Sequence, residues 1–592
     1  MKKLFFLTAG AAVLAASCGE PKKQTPEAVN AHFDAYKGAF VESLWKVFPD
    51  WAASVGYHKY DSLLEIPDKA ARDKELAFCN SNLDSLKDFD TLKLSSNNRT
   101  DYLMMKDQLE SIIWGIRDLK SWEWNPAGYN VSALFAEILN GNYDSLDNRL
   151  RSFYGRLLNV PAYYEAAKKN ISNPTEEHRQ LAIEQNTGGL SVFEKDLPGS
   201  IAKSGLSESE KKDMQARVTL AMDAIRGYVD FLKNMKNDHP RSFRLGKELY
   251  AKKFEYDIQS GYSIEQVYQK AVAHKQELHN EMEKLAAQLW PKYFGNKPRP
   301  ADRMVMIREM IDRLSLNHVS PDSFQVAIEH QLPVLTDFIK KKNLIYIDPS
   351  KPLVVRREPD YMAGVAGASI SAPGPYDKGG NTYYNVGSLS GWDKDRAESY
   401  LREYNHYILQ ILNIHEAIPG HYTQLVYSNQ SPSLIKSLFG SSSMVEGWAV
   451  YTERMMLENG YGAEPGDTSG KSSPEMWLMY YKWNLRSTCN TILDYSVHTG
   501  NMSREDAMHL LMDEAFQQKT EAENKWRRVS LTQVQLCCYF TGYTEIMDFR
   551  EELKRKMGKD FDLKKFHEKF LSYGSAPVKY IRQLMLEELK LN

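Results

Sequence analysis

A large, mainly α-helical body carrying one small β-sheet is the fold this sequence predicts, and three observations lead to it. Apolar residues recur at three- and four-residue intervals from about residue 28 to 340, the period of a helix with one buried face. Short β-branched runs replace that pattern between about 343 and 395, and the helical period then returns to the end of the chain.

In chain order, "LDSLKDFDTLKL", "RLLNVPAYYEAAKKN" and "YSIEQVYQKAVAHKQELHNEMEKLAAQL" read as amphipathic helices, broken at "NPAGYN", "SNPTEE", "GNKPRPADR" and "SPDS", where Pro, Gly and Asn punctuate the pattern. "NLIYID", "PLVVRREP" and "NTYYNV" are the strand candidates, set among Gly/Pro-rich loops. "AESYLREYNHYILQILNIHEA", "SMVEGWAVYTERMMLEN", "SPEMWLMYYKWNLRSTCNTILDYSVHTG" and "SREDAMHLLMDEAFQQKTEAENKWRR" resume the helices. No period of 20–50 residues recurs, so a solenoid is not expected. No linker rich in Gly, Pro or Ser divides the chain beyond its N-terminal tether. Residues 29–592 are therefore expected to form one helical body, with a helical half at 29–340 and a metal-site half at 341–592.

The composition narrows the function classes. With 75 Lys and Arg against 77 Asp and Glu, no net field favours nucleic acid or an anionic membrane surface. The 26% charged and 42% hydrophobic content is that of a folded soluble protein. Targeting is legible at the start. "MKKLFFLTAGAAVLAASCGE" places Lys2 and Lys3 before an apolar run from Leu4 to Ala16, too short for a permanent membrane span and suited to an export signal. Leu14-Ala15-Ala16-Ser17-Cys18 is similar to a bacterial lipobox, so residues 1–17 read as a lipoprotein signal peptide. Residues 18–28 then read as a lipidated Cys18 with a polar tether. The protein is expected to be exported and held at a membrane through that lipid, on a periplasmic or cell-surface face of the outer membrane. Cys79, Cys489, Cys537 and Cys538 make no disulfide framework and read as core residues.

Chemistry concentrates in "HEAIPGH", residues 415–421. Imidazole and carboxylate are the ligand types of catalytic zinc. In an H-E-x-x-H helix the histidines are four apart and share a face, whereas His415 and His421 are six apart, roughly 240° out of phase on a regular helix. Pro419 and Gly420 offer the remedy: proline removes a helical hydrogen bond and glycine takes positive φ cheaply, so the pair is expected to bulge the helix and bring His421 back to His415. In "SSSMVEGWAVYTER" the serines read as a helix start, placing Glu446 in its first turns as the third ligand of one zinc ion. Glu416 is left free as general base, taking a proton from attacking water and delivering it to the leaving amine. Glu453, seven residues beyond Glu446, is either an outer partner of the ligands or a rival ligand.

"YNHYILQILNIHEAIPGHYTQ" followed by "EGWAVYTE", and then "NLRSTCNTILDYSVHTG", "QLCCYFTG" and "FLSYGSAPV", closely resembles the bacterial domain of unknown function 885 family, in which H-E-A-x-P-G-H and E-G-W-A-x-Y recur together. The resemblance covers much of the chain from about 340 onward and the helical half more loosely. It implies a zinc-dependent, metallopeptidase-like protein with an architecture similar to the carboxypeptidase Taq and oligopeptidase gluzincins, its small sheet beside a deep substrate cleft. On the resemblance His415, His421 and Glu446 carry over as ligands and Glu416 as base. Tyr422 and Gln533 stand where many relatives have histidine and proline, differences that bear on substrate preference.

Four further groups complete the expectation. Tyr539, with Tyr543 as the alternative or a substrate contact, is similar to the gluzincin tyrosines that stabilise a tetrahedral intermediate through a phenol hydrogen bond. Arg486, Asn490, Asp494 and His498 fall at steps of four, a polar stripe that lines a substrate cleft, backs the ligands or faces water. Arg486 is a substrate contact in this reading, Asp494 and His498 outer partners of the metal site, and Arg528 binds a substrate carboxylate. The strand "NTYYNV" could pair with an extended peptide. The expected function is a membrane-anchored zinc metallopeptidase acting on peptides or oligopeptides. A metal-dependent amidase on non-peptide or modified amides and a non-catalytic substrate-binding lipoprotein are the alternatives.

Overall fold

Thr25 caps the first helix by accepting from the Ala28 amide, and Pro26 fits the first turn because no helical partner awaits its nitrogen. The computed structural model describes residues 25–358, 368–376 and 381–591, so the expected signal peptide and Cys18 lie outside the described residues. Helix α1 (Pro26–Val47) buries Val29, Phe33, Phe40 and Leu44 on one side, the three- and four-residue spacing that the sequence shows. Helices α2 (Ser96–Trp114), α3 (Glu208–Asn234), α4 (Lys247–Ile258), α5 (Ile264–Phe294) and α6 (Phe324–Lys342) follow. Reciprocal capping boxes, Ser207 with Glu210 and Ser263 with Gln266, start α3 and α5.

The small sheet comprises β1 (Leu353–Arg357), β2 (Ala368–Ser371) and β3 (Thr382–Val386), in the order β1-β3-β2. β3 is parallel to β1 and antiparallel to β2. This corrects the expectation for "NTYYNV": both edges of β3 are occupied within the protein, so it has no free backbone to offer a peptide. "NLIYID" forms no strand. Tyr384 on β3 ties the sheet to the helices by donating its hydroxyl to Asn413 Oδ1 at 2.7 Å.

The helical metal-site half contains α7 (His406–Glu416), α8 (His421–Ser428), α9 (Ser442–Glu458), α10 (Pro474–Gly500), α11 (Lys519–Leu531), α12 (Cys538–Met557) and α13 (Leu563–Ser572). One large core runs from Val29 to Leu586 and includes residues of both halves. A second core, built on Leu64 and on residues between Tyr129 and Leu232, packs α3 with its neighbours. Among the described residues no helix is long and apolar enough to cross a membrane. A cavity of about 780 Å³ lies between α1, α2 and residues 432–435, and neither the "HEAIPGH" segment nor α9 lines it.

The crossing of α9 and α12 fixes the distance between two parts of the candidate site. A Cβ on Gly542 would stand 1.7 Å from the Ser443 carbonyl oxygen, and one on Gly447 would stand 2.3 Å from the Gly542 carbonyl carbon. Only paired glycines allow backbones this close. Gly542→Ala is accordingly expected to destabilise the fold by about 1–3 kcal/mol or more through overpacking, measured as a lower urea midpoint with an unchanged slope. An unchanged midpoint would show that the crossing can relax.

Candidate metal centre

Asn405 starts α7 by accepting from the amides of Tyr407 and Ile408, and Ile408, Ile411, Leu412 and Ile414 bury the helix on several sides. His415 and Glu416 are its last two residues. The chain then turns through Ala417–Gly420, with the Ile418 amide donating to Asn413 O at 3.2 Å and the Gly420 amide to Ile414 O at 2.9 Å. The helix is therefore divided into α7 and α8, not bulged as the sequence reading expected. The role of glycine also differs. Gly420 has φ −72°, so positive φ is not what it supplies. A Cβ there would stand 1.8 Å from the His415 carbonyl oxygen, and the turn can close on His415 only without one. Trp448 on α9 secures the turn by donating its indole N–H to Pro419 O at 2.9 Å.

Ser441 caps α9 by accepting from the Met444 amide, which puts Glu446 in the second turn, facing both histidines. Glu446 Oε2 is 3.5 Å from His415 Nε2 and 3.4 Å from His421 Nε2. The imidazole planes stand at 87°, their centroids 4.7 Å apart. Ligand atoms of the three residues lie within 4.8 Å of one another. Bonds of about 2.0–2.1 Å in a tetrahedron would separate ligand atoms by roughly 3.3–3.4 Å, so the carboxylate-to-imidazole spacings fit one small cation. An unsatisfied acceptor fits it too: Glu446 Oε2 is buried with no hydrogen-bond partner among the described residues. Two imidazoles and one carboxylate form a zinc-type donor set.

Glu453 lies outside the three-residue cluster and meets it through His415. Its Oε1 meets His415 Nδ1 at 2.7 Å and accepts from Trp483 Nε1 at 3.1 Å. In the neutral imidazole with its proton on Nδ1, the His415 Nε2 lone pair would face Glu446, the arrangement that orients a metal-binding histidine. Burial opposes a charge on His415, but the carboxylates of Glu446 and Glu453 outweigh it and raise its pKa to about 10. Burial likewise opposes a charge on Glu446, and the two histidines overcome it, holding its carboxyl well below the usual range. Glu453→Ala is expected to weaken zinc binding by roughly 10–100-fold, read from competition with a chelating dye. Affinity equal to that of the native protein would contradict this role.

Glu416 follows His415 but stays out of the ligand group. It is half-buried, and burial together with Glu446 pushes its carboxyl up, while His421 and His415 pull it down. Tyr539 stands at the start of α12, near the Gly447–Gly542 crossing. Its hydroxyl oxygen accepts from Arg528 Nη2 at 3.2 Å, which leaves the phenolic O–H available to donate. Burial raises its pKa, and so does the negative charge of Glu446.

Other predicted residues are placed elsewhere. Tyr543 is buried with its hydroxyl accepting from Arg454 at 3.2 Å. Asp494 and His498 do not back the ligands either: they hold the segment that leads to Tyr539. Asp494 accepts from Tyr250 Oη at 2.8 Å and from the amides of Val534 and Leu536 at 3.0 and 3.1 Å, while His498 Nε2 meets Val529 O at 2.9 Å. Val534 needs such support, because a β-branched residue at φ 70° is strained. Arg486 pairs with Glu521 at 2.6 Å and lies over the Trp483 ring at 4.9 Å. Tyr422 donates to the Lys351 carbonyl. Cys79, Cys489, Cys537 and Cys538 are buried and free, as expected of core residues. Trp483 is the contact that sequence reasoning missed; in "YYKWNLR" it is one aromatic among several, and only folding brings it to Glu453.

The profile of a family described as bacterial proteins of unknown function, DUF885, matches residues 49–585. The chain belongs to the DUF885 family. Among solved structures it is similar to a candidate lipoprotein of unknown function from Shewanella oneidensis, with 56% identity, a TM-score of 0.84 and coverage of 94% of this chain and 99% of that one. A second structure, of a candidate lipoprotein from Colwellia psychrerythraea, shares the fold at 16% identity, with a TM-score of 0.75 over 96% of this chain and 100% of that one. No curated protein matches the chain. This member of the family is mainly helical with a small three-stranded sheet.

Proposed function

We propose that this DUF885 protein is a zinc-dependent hydrolase of peptides or short oligopeptides, related in its chemistry to the helical gluzincins and held at a membrane by lipid on Cys18. The observation that carries the reading is the convergence of His415 Nε2, His421 Nε2 and Glu446 Oε2 at spacings suited to one ion, with Glu416 adjacent and outside the ligand group. Bound in such a set, zinc would act as a Lewis acid toward a carbonyl and lower the pKa of water. The residues around it divide the remaining work. Glu416 holds a carboxylate where it can take a proton from water and pass it to the leaving nitrogen. Tyr539, with Arg528 on its oxygen, offers an O–H to the oxygen on which charge develops. Glu453 and Trp483 fix His415. The lipobox-like Leu14–Cys18 segment and the lipoprotein descriptions of both similar structures support the anchor.

The test is a screen of peptide and non-peptide amide libraries with the zinc-loaded protein. Cleavage of peptides that stops on chelation and returns with zinc supports the reading. Cleavage confined to non-peptide amides would move the substrate class while keeping the chemistry. No cleavage of either kind by folded, zinc-loaded protein would overturn it.

A further inference from the structure

Beside the candidate metal centre, α10 and α11 face each other with more positive than negative charge. From α10 comes Arg486; from α11 come Glu521, Lys525 and Arg528, the first two four residues apart and therefore on one helical face. Among the described residues Glu521 is the single carboxylate in direct contact with the group, 2.6 Å from Arg486 Nη2 and 3.8 Å from Lys525 Nζ. The neighbouring Lys482 is neutralised by Glu403 at 2.6 Å. Arg528 spends its hydrogen bonds on neutral acceptors, Gln535 Oε1 at 2.7 Å and Tyr539 Oη at 3.2 Å. Among the described residues, three cations thus have one carboxylate in direct contact between them.

This imbalance is costly where it stands. Lys525 is only 3% exposed, and a buried ammonium needs an opposite charge. Arg486 Nη1 is buried without a hydrogen-bond partner among the described residues. Burial, with repulsion from Arg486 and Arg528, pulls the Lys525 pKa down to about 7. The group still reaches solvent, since the side chains of Arg486 and Glu521 keep about a fifth of their surface accessible. Two contacts connect it to the metal centre. Arg528 holds Tyr539, and Arg486 lies over Trp483, which holds Glu453.

Resting on the hydrolase reading above, we propose that Arg486, Lys525 and Arg528 form an anion-binding subsite that takes a carboxylate of the peptide substrate. Arginine provides a planar fork and lysine a point charge for the two oxygens. A carboxylate bound there restores charge balance and gives Arg486 Nη1 an acceptor. The same chemistry is present in a free C-terminus and in an acidic side chain, and the two are separable by experiment.

The experiment uses full-length, zinc-loaded protein carrying Glu416→Gln, so that peptides bind without turnover. Calorimetry compares Ala-Ala-Ala as the free acid, its C-terminal amide, and the C-terminal amide of Ala-Glu-Ala. The free acid is expected to bind about 10-fold or more tighter than its amide, as for charge-assisted hydrogen bonds. Tighter binding of Ala-Glu-Ala amide than of Ala-Ala-Ala amide would assign the subsite to an acidic side chain instead. Adding Lys525→Met should remove most of the preference while zinc content stays unchanged and the thermal unfolding temperature is not lowered, and Lys525→Arg should retain it. Glu521→Gln, which removes the competing carboxylate, should strengthen binding of the preferred acid, a sign that a merely structural role would not produce. Equal binding of all three peptides by protein with full zinc content would overturn the subsite. The hydrolase reading fails separately, if native zinc-loaded protein cleaves no amide.

Discussion

Glu416→Gln is expected to lower the rate of peptide hydrolysis by about 10²–10⁴-fold, the usual contribution of a positioned general base, while leaving zinc content at the native level. The amide is close in size to the carboxylate and cannot take a proton. Glu416 lies outside the ligand group, so its replacement should act on catalysis and not on metal binding. Peptide turnover and elemental analysis on the same preparation check both halves. Loss of zinc together with activity would make Glu416 a ligand, and retained activity would remove it from the mechanism.

Glu446→Ala is expected to have the largest effect on the metal. Among the described residues, the substitution removes the only carboxylate placed between the two imidazole Nε2 atoms and leaves His415 and His421 facing one another across an empty corner. Affinity should fall beyond the roughly 10–100-fold that loss of an outer partner costs. Any zinc-induced rise in the Tm of the native protein should be absent from the variant, because a ligand stabilises only the state that binds it. A variant that binds zinc as tightly as the native protein would place the ion elsewhere.

Much of this site is legible in sequence because its signals are local. Pro419 and Gly420 mark a break between two histidines that a continuous helix would separate, and the serines before Met444 mark the helix start that positions Glu446. The device itself was less legible: splitting α7 from α8 and clearing a Cβ at Gly420 depend on the approach of the His415 carbonyl, which is a distance in space. Tyr539 and Tyr543 illustrate the same limit. Both lie on α12 four residues apart, yet one meets Arg528 and the other Arg454, and spacing carries no information about which partner helix each meets.

Non-local features were hidden for the same reason. The stripe Arg486–Asn490–Asp494–His498 was found as a pattern, but its members serve different neighbours along the length of α10. Asp494 and His498 stabilise residues 529–536, and Arg486 meets Glu521. The segment 382–386 is legible as a strand from its β-branched and aromatic residues, but its central position follows from pairing with both β1 and β2. The second core around Tyr129–Leu232 has no composition boundary to announce it.

The most direct test of the central claim is an anomalous difference map, recorded at the zinc edge from crystals of the zinc-repleted protein. The account predicts one peak per chain within bonding distance, about 2.0–2.2 Å, of His415 Nε2, His421 Nε2 and Glu446 Oε2. Well-ordered density for these three side chains with no peak between them would contradict it.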